Sequence, residues 1–182
     1  MDNQRLWAPW RLEYVTGDES SAESLPEPAG WLEGADRGCF LCRAAARYDQ
    51  SPAVDRQLLV AGREDHTLVV LNRFPYSNGH LLVAPRRHLG QLGELSRDEH
   101  VECLDWLVRL TDILSDQLRA EGFNVGLNLG RVAGAGLPGH LHWHLVPRWN
   151  GDHNFMTVTA GTRVIPQSLD ALWELLTAAL GE

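Results

Sequence analysis

The chain has 182 residues, of which 44% are hydrophobic, and it carries a formal net charge of −8. This length and apolar content suffice for one domain with its own core. The negative charge disfavours an extended nucleic-acid surface, because such surfaces carry clustered basic residues. No segment approaches the roughly 20 apolar residues of a membrane span, so we expect neither nucleic acid nor membrane as a partner.

The first 38 residues are predicted to form an N-terminal extension. Residues 6–11 place two tryptophans around a proline, and we expect them to pack on the body or across an oligomer interface. Residues 17–38 are acidic, rich in Ser, Pro and Gly, and without periodicity, which predicts an irregular insertion. The first five residues lack the pattern of a signal peptide, so we expect a cytoplasmic protein.

From residue 58 the pattern becomes regular. Residues 58–62, 67–72 and 81–85 are predicted as strands, with an Asn78-Gly79 turn signal between the last two. Ser96 and Glu99 are spaced as a capping box and predict the start of a long helix, which ends near residues 120–122. The apolar residues that we expect along its buried side are Val101, Leu104, Val108, Leu114 and Leu118.

Two more strands, at 123–129 and 141–147, are predicted on either side of a glycine-rich loop, and an amphipathic helix at 169–180 ends the pattern. This order predicts an α+β fold. We expect an antiparallel sheet of about five strands, with one long helix and a C-terminal helix packed against it.

Three histidines, His140, His142 and His144, alternate with apolar residues in the last predicted strand. Side chains alternate between the faces of a strand, so the three imidazoles are expected on one face, spaced by about 6.6 Å. Each buried imidazole needs partners for one donor and one acceptor, which makes such a row a poor core. The row therefore indicates a site for metal, phosphate or both.

Three interpretations of this row compete. A single histidine without a functional role is common, but three such histidines spaced to share one strand face are not. A three-histidine metal centre is disfavoured, because adjacent positions on one face diverge too far to reach a single ion at about 2.0–2.1 Å. Nucleophilic attack on phosphorus is favoured by the preceding loop, residues 130–139, whose glycines leave backbone N–H groups open to phosphate oxygens.

Residues 139–148 (GHLHWHLVPR) resemble the signature of the histidine triad superfamily of nucleotide hydrolases and transferases. Residues 70–85 resemble the strand–turn–strand with which that family covers the nucleoside. Residues 6–11 and 147–155 further resemble a bacterial branch related to diadenosine tetraphosphate phosphorylases and to fragile-histidine-triad-like hydrolases. The resemblance spans about residues 39–158.

The resemblance implies a histidine triad domain at 39–158 and leaves 159–182 as a C-terminal helical segment. It implies that His142 is the nucleophile, which attacks an α-phosphorus to give a nucleotidyl-histidine intermediate. The catalytic set that it implies is His142, His80, His144 and His140.

Nucleotide contacts are implied for Asn72 at the ribose and for Asn128 and His144 beside the phosphate. For each asparagine, a turn or strand-end residue that satisfies its own backbone is the alternative. Gly136 stands where many members carry a glutamine, so a phosphate contact there must come from backbone amides. The contribution of His153, in the loop after the last strand, stays open.

The implied activity is hydrolysis or phosphorolysis of dinucleoside polyphosphates such as diadenosine tetraphosphate, by a homodimer that needs no catalytic cofactor. Water and phosphate both stay open as acceptors. One alternative is a purine nucleoside phosphoramidase, and another is a nucleotide-binding regulatory protein without turnover. A glycine at position 136 fits the phosphorylase-like branch better than a simple hydrolase or phosphoramidase.

Cys39 and Cys42, two of only three cysteines, have the spacing of half a zinc site and favour a reducing compartment over a disulfide framework. His88 and His140 supply the missing half, an arrangement that resembles zinc-containing members of the family and the related galactose-1-phosphate uridylyltransferases. We therefore expect a structural zinc on these four residues. The alternative is two buried cysteines that serve as small apolar residues.

Overall fold

A computed structural model describes residues 27–49, 51–152 and 165–181 of the chain. Within them, four helices and five strands follow one another along the sequence. They are α1 (Phe40–Ala45), α2 (Ser51–Gln57), β1 (Val60–Arg63), β2 (Thr67–Leu71), β3 (Leu81–Pro85), α3 (Arg97–Leu118), β4 (Gly122–Leu127), β5 (Trp143–Arg148) and α4 (Leu169–Gly181). The predicted N-terminal segment 6–11 and His153 lie outside the described residues.

The strands form one antiparallel sheet in the order β1-β2-β3-β5-β4. The last strand in sequence thus lies between β3 and β4, where His144 is opposite Leu82 on one side and Gly126 on the other. This confirms the predicted α+β fold with five antiparallel strands. The edges of the sheet are β1 and β4.

The first half of the long helix packs on the sheet with a different face from the one predicted, whereas Leu114 is buried and Leu118 packs against the core as predicted. Val101, Leu104 and Val108 are 46%, 53% and 63% exposed, so their assignment to the buried side is wrong. The buried stripe consists of Cys103, Trp106, Leu107, Leu110 and Leu114. The helix carries two apolar stripes, and the one with the tryptophan packs on the sheet, where a Cβ at Gly62 would lie 2.6 Å from the Trp106 ring.

The predicted capping box opens α3. Ser96 Oγ accepts the Glu99 N–H at 3.2 Å, and the Glu99 carboxylate accepts the Ser96 N–H at 2.8 Å. Both oxygens of this carboxylate also accept from Arg87, at 2.6 and 2.7 Å. This ion pair and the capping bonds hold the pKa of Glu99 at about 2. The start of α3 is thereby tied to the segment that carries His88.

The strand at 141–147 starts later than predicted. β5 begins at Trp143, so His140 and His142 precede the paired strand and only His144 lies within it. The physical reason is that the Leu141 N–H is donated to the carbonyl of Leu89, at 2.7 Å, rather than to the neighbouring strand β3. The prediction that all three histidines lie on one face of a paired strand is therefore wrong. The ring of His140 turns away from the other two and contacts other partners.

The termini of the described chain pack on this sheet. α4 buries Leu172 and Leu176, and Trp173 Nε1 donates to the carbonyl of Val60 at 2.7 Å. Residues 27–38 form no helix or strand, in line with the predicted irregular segment, yet Trp31 and Leu32 pack against the core. Across the described ranges, no helix combines the length and apolar character that crossing a bilayer requires.

Candidate active site and metal centre

The loop between β2 and β3 holds His80 next to His144. Gly79 has φ +74°, and a Cβ there would lie 2.8 Å from Leu118, so only glycine fits this turn. Asn72 Oδ1 accepts the N–H of Phe74 at 3.0 Å, and Asn72 Nδ2 lies 3.2 Å from His80 Nδ1. The Asn72 side chain therefore braces the loop and the ring of His80, and its predicted ribose contact remains a prediction.

His80 is 1% exposed, and its hydrogen bonds define its tautomer. The backbone N–H of Tyr76 donates to Nδ1 at 3.1 Å, so Nδ1 carries the lone pair and Nε2 carries the proton. His80 Nε2 lies 3.0 Å from His144 Nδ1, to which it donates. Burial, with smaller contributions from His144 and His142, lowers the pKa of His80 to about 3 and keeps the ring neutral.

The tautomer of His144 follows from its hydrogen bond with His80. Because its Nδ1 accepts from His80, its Nε2 carries the proton of the neutral ring. Asn128 Nδ2 lies 3.4 Å from that Nε2. An imidazole N–H and an amide NH₂ are both donors, so the two groups together suit an anionic oxygen placed between them.

His142 lies beside His144, with ring centroids 5.0 Å apart, and is 8% exposed. His142 Nδ1 lies 2.8 Å from the carbonyl oxygen of His140, which can only accept, so Nδ1 carries the proton. Burial lowers the pKa of His142, while that hydrogen bond acts in the opposite direction. The remaining nitrogen, Nε2, therefore holds a lone pair on a neutral ring, which is the form that attacks an electrophile.

The ring of His140 belongs to a second cluster. The ligand atoms of Cys39, Cys42, His88 and His140 all lie within 4.8 Å of one another. Cys39 Sγ is 3.3 Å from His140 Nδ1, and Cys42 Sγ is 3.2 Å from His88 Nδ1. In a tetrahedral zinc site of two thiolates and two imidazoles, sulfur and nitrogen ligands stand roughly 3.6 Å apart. This cluster can therefore hold a metal ion.

The protonation of His140 also suits a ligand. His140 Nε2 donates to the carbonyl oxygen of Pro85 at 2.8 Å, which leaves the lone pair on Nδ1, the nitrogen that faces both cysteines. Metal-bound histidines characteristically donate their other N–H to a carbonyl in this way. Burial raises the pKa of the Cys39 thiol to about 12, and a metal would have to displace that proton.

The predicted site residues thus divide into two groups joined at one peptide. His80, His142, His144, Asn72 and Asn128 form one cluster, and the two cysteines with His88 form the other. His140 belongs to both, by its carbonyl and by its ring. Gly136 is exposed in the glycine-rich loop, and a phosphate contact by its amide remains a prediction.

Two contributions were not singled out from the sequence. Tyr76 sets the tautomer of His80 through its backbone N–H and lies beside that ring, with centroids 4.7 Å apart. The Pro85 carbonyl orients His140. An aromatic residue in the loop before His80 could have drawn attention to Tyr76, but every residue offers a carbonyl, so no sequence signal marks Pro85.

A family model described as HIT domain matches residues 51–151. An AP-4-A phosphorylase of Mycobacterium tuberculosis is 37% identical over 172 residues, which cover 91% of this chain and 78% of that protein. An adenosine 5'-monophosphoramidase of Schizosaccharomyces pombe is 27% identical over 63% of this chain and 82% of its own length. A zinc-bound histidine triad family protein from Mycobacterium smegmatis has a similar structure, with a TM-score of 0.56, 28% identity, and coverage of 68% of this chain and 84% of that one.

We predict that His80 stays neutral throughout the physiological pH range. Its folded pKa lies below the value of about 6.5 in the unfolded chain, so only the unfolded state gains a proton there. The contribution of neutral His80 to stability is therefore present above about pH 6.5 and declines as the pH falls towards 3. Imidazole ¹⁵N chemical shifts check this, with a His80→Gln sample to assign the signal. A titration of that ring near pH 6.5 would contradict the prediction.

Proposed function

The chain belongs to the histidine triad (HIT) family, and we propose that it transfers a nucleotidyl group from a dinucleoside polyphosphate through a covalent bond to His142. The observation that carries the proposal is the hydrogen bond from His142 Nδ1 to the carbonyl of His140, at 2.8 Å. It directs the proton to one ring nitrogen and leaves the other free for attack. The 37% identical AP-4-A phosphorylase supports the choice of substrate class.

In the first step, the lone pair on His142 Nε2 attacks the α-phosphorus. An N–P bond forms, the bridging P–O bond breaks, and its electron pair leaves with the remaining polyphosphate. For diadenosine tetraphosphate, the leaving group is ATP and the enzyme retains an adenylyl group on His142. The proton on Nδ1 stays hydrogen-bonded to the His140 carbonyl, so the ring develops positive charge beside an acceptor dipole.

Negative charge on the phosphoryl oxygens needs donors that are already in place. His144 Nε2–H and Asn128 Nδ2 supply two, 3.4 Å apart, beside the attacking ring. The backbone N–H groups of residues 130–139 are candidates for further contacts, in keeping with the open glycines of that loop. Neutral His80 acts through His144, because its Nε2–H fixes the proton of His144 on the nitrogen that faces Asn128.

In the second step, an acceptor oxygen attacks the same phosphorus and the N–P bond breaks. Inorganic phosphate as acceptor gives ADP, and water gives AMP. We propose phosphate, on the strength of the relative named as a phosphorylase. The relative named as an adenosine 5'-monophosphoramidase favours a second candidate, in which the leaving group is an amine. The chemistry at His142 is the same in both.

Product analysis tests the function and its nucleophile together. Wild-type protein with diadenosine tetraphosphate should yield ADP and ATP only when phosphate is present. The His142→Ala variant should lose turnover by at least about 10⁴-fold, because no other group takes over the covalent step. His100→Ala, which alters a half-buried histidine of α3, serves as the matched control and should keep turnover.

AMP and ATP formed regardless of phosphate would replace the phosphorylase with a hydrolase. Turnover of adenosine 5'-phosphoramidate alone would favour the second candidate. Substantial turnover by the His142→Ala variant would contradict the nucleotidyl-histidine mechanism.

We propose that the metal of the Cys2His2 cluster is zinc with a structural role. The donor set of two thiols and two imidazoles, the free Nδ1 of His140 and the zinc-bound relative from M. smegmatis support this. A tetrahedral ion with four protein ligands has no open position for substrate and supplies cross-linking rather than catalysis. Held this way, α1, His88 and His140 would be fastened to one another next to the active site.

Metal analysis checks the zinc proposal. Wild-type protein purified from zinc-supplemented medium should contain about one zinc per chain, and Cys42→Ser should contain little and melt at least about 5 °C lower. Cys103→Ser is the control, since Cys103 is a buried residue of α3 whose thiol contacts Thr67 and is not part of the cluster, and this variant should keep the zinc of the wild type. A zinc-free wild type, or full zinc content in Cys42→Ser, would contradict the proposal.

We also propose that the protein is a homodimer, formed over the exposed apolar stripe of α3 and the open edge of β4. Val101, Leu104 and Val108 lie on this stripe at helical spacing, and Val125 on β4 is 50% exposed. Exposed apolar patches and unpaired strand edges are typical of interfaces.

Light scattering after gel filtration tests the dimer. The wild type should have the mass of two chains, and the double variant Leu104→Glu with Val108→Glu should have the mass of one, because two buried carboxylates per chain would oppose association. Gln117→Glu adds a charge at an exposed position of the same helix and should leave the dimer intact. A monomeric wild type would overturn the proposal.

A further inference from the structure

A cleft of about 450 Å³ opens beside the glycine-rich loop, at the end of the sheet where β4 stops and the triad segment begins. Its walls come from two stretches of chain that are far apart in sequence. They are the turn Gly90, Gln91, Leu92 and Gly93 on one side and Leu129, Gly130 and Pro138 on the other.

The second wall is continuous with the site of chemistry. Leu129 directly follows Asn128, whose amide lies 3.4 Å from His144 Nε2, and Pro138 comes four residues before His142. The two walls are held close together. A Cβ on Gly90 would lie 2.8 Å from the carbonyl oxygen of Pro138. The cleft is therefore lined by the residue that follows Asn128 and by the loop that leads into the triad segment.

The turn that forms the first wall is stabilised by hydrogen bonds among its own residues. Glu94 Oε2 accepts the N–H groups of Gly90 and Gln91, at 3.1 and 2.8 Å, so this carboxylate is already engaged. What the cleft offers a ligand is mainly the apolar surface of Leu92, Leu129 and Pro138, together with glycine backbone. Such a surface suits a flat, weakly polar group such as a nucleobase better than a charged one.

One cation stands next to the cleft. Arg131 follows Gly130 and is exposed, and within the described ranges its guanidinium has no ion pair or side-chain hydrogen bond. Among the other described arginines, six form ion pairs with carboxylates, as Arg63 does with Asp55 and Arg87 with Glu99, and the rest do not. In a chain with a net charge of −8, an unpaired arginine on the loop that precedes the triad suits a polyanion.

We propose that this cleft binds the distal nucleoside of a dinucleoside polyphosphate while Arg131 contacts the phosphates between the two nucleosides. The inference rests on the proposed function, which places the α-phosphorus at His142. In this proposal the protein binds the leaving nucleotide as well as the adenylyl group. Residues outside the triad then account for the preference for dinucleotides over nucleoside phosphoramidates. An amine leaving group carries neither the further phosphates nor the second nucleoside that these two features would bind.

Two variants test the two parts of this subsite. Arg131→Ala removes the cation, and Gly93→Trp fills the cleft at a position where a Cβ meets no atom within 4 Å. For each, kcat/KM is measured on diadenosine tetraphosphate and on adenosine 5'-phosphoramidate, which share the adenylyl group and differ in the leaving group. The ratio of the two values should fall by roughly tenfold or more in both variants. Arg97→Ala, at an exposed position of α3, should keep the wild-type ratio.

The outcomes separate this inference from the proposed function. A wild type that cleaves diadenosine tetraphosphate, with variants that keep the wild-type ratio or lower both substrates equally, leaves the function standing and overturns the subsite. A wild type that cleaves only the phosphoramidate, or neither substrate, overturns the proposed function and the subsite with it.

Discussion

The backbone at residues 140–142 joins two buried clusters, and the rest of the site depends on how it is held. The ring of His140 faces the cysteines and donates to Pro85, while its carbonyl accepts the Nδ1 proton of His142. One residue therefore orients the proposed nucleophile through its main chain and contributes its side chain to the candidate metal site. A movement of His140 would alter the direction of the His142 lone pair, so the geometry of the cysteine–histidine cluster and that of the triad are coupled through this residue.

Burial gives the histidine cluster its chemical character. Water would let each imidazole titrate near neutral pH, whereas desolvation lowers the pKa of His80 to about 3 and that of His140 to about 4. A neutral ring has one donor and one acceptor nitrogen. The backbone N–H of Tyr76 places the proton of His80 on Nε2, and the hydrogen bond from that nitrogen in turn places the proton of His144 on its own Nε2. Hydrogen bonds at both nitrogens of His80, at His140 Nε2 and at His142 Nδ1 offset part of the cost of burying these polar rings. The lone pair of His142 Nε2 and the donors of His144 and Asn128 are therefore in position before a substrate binds.

The order of the elements from β1 onwards, the five strands, the Ser96 capping box and the turn at Gly79 followed from periodicity and turn chemistry, which are local, whereas the short helices α1 and α2 were not predicted. The convergence of Cys39, Cys42, His88 and His140 was expected from the family resemblance and is present. The buried face of the first half of α3 was predicted wrongly, because two apolar stripes compete there and the packing of Trp106 against Gly62 is a tertiary contact that the sequence pattern does not reveal. Contacts made by backbone groups, such as the Pro85 carbonyl, depend on the fold and leave no mark in the sequence.

The covalent bond to His142 is the claim on which the account rests, and rapid chemical quenching tests it most directly. Wild-type protein is mixed with diadenosine tetraphosphate without phosphate, quenched in alkali to preserve an N–P bond, digested and analysed by mass spectrometry. The account predicts a peptide that carries one adenylyl group on His142, formed before the nucleotide product that retains the adenylyl group and lost when phosphate is added. An adenylyl group on another residue, or products that accumulate with no adduct at any quench time, would contradict it.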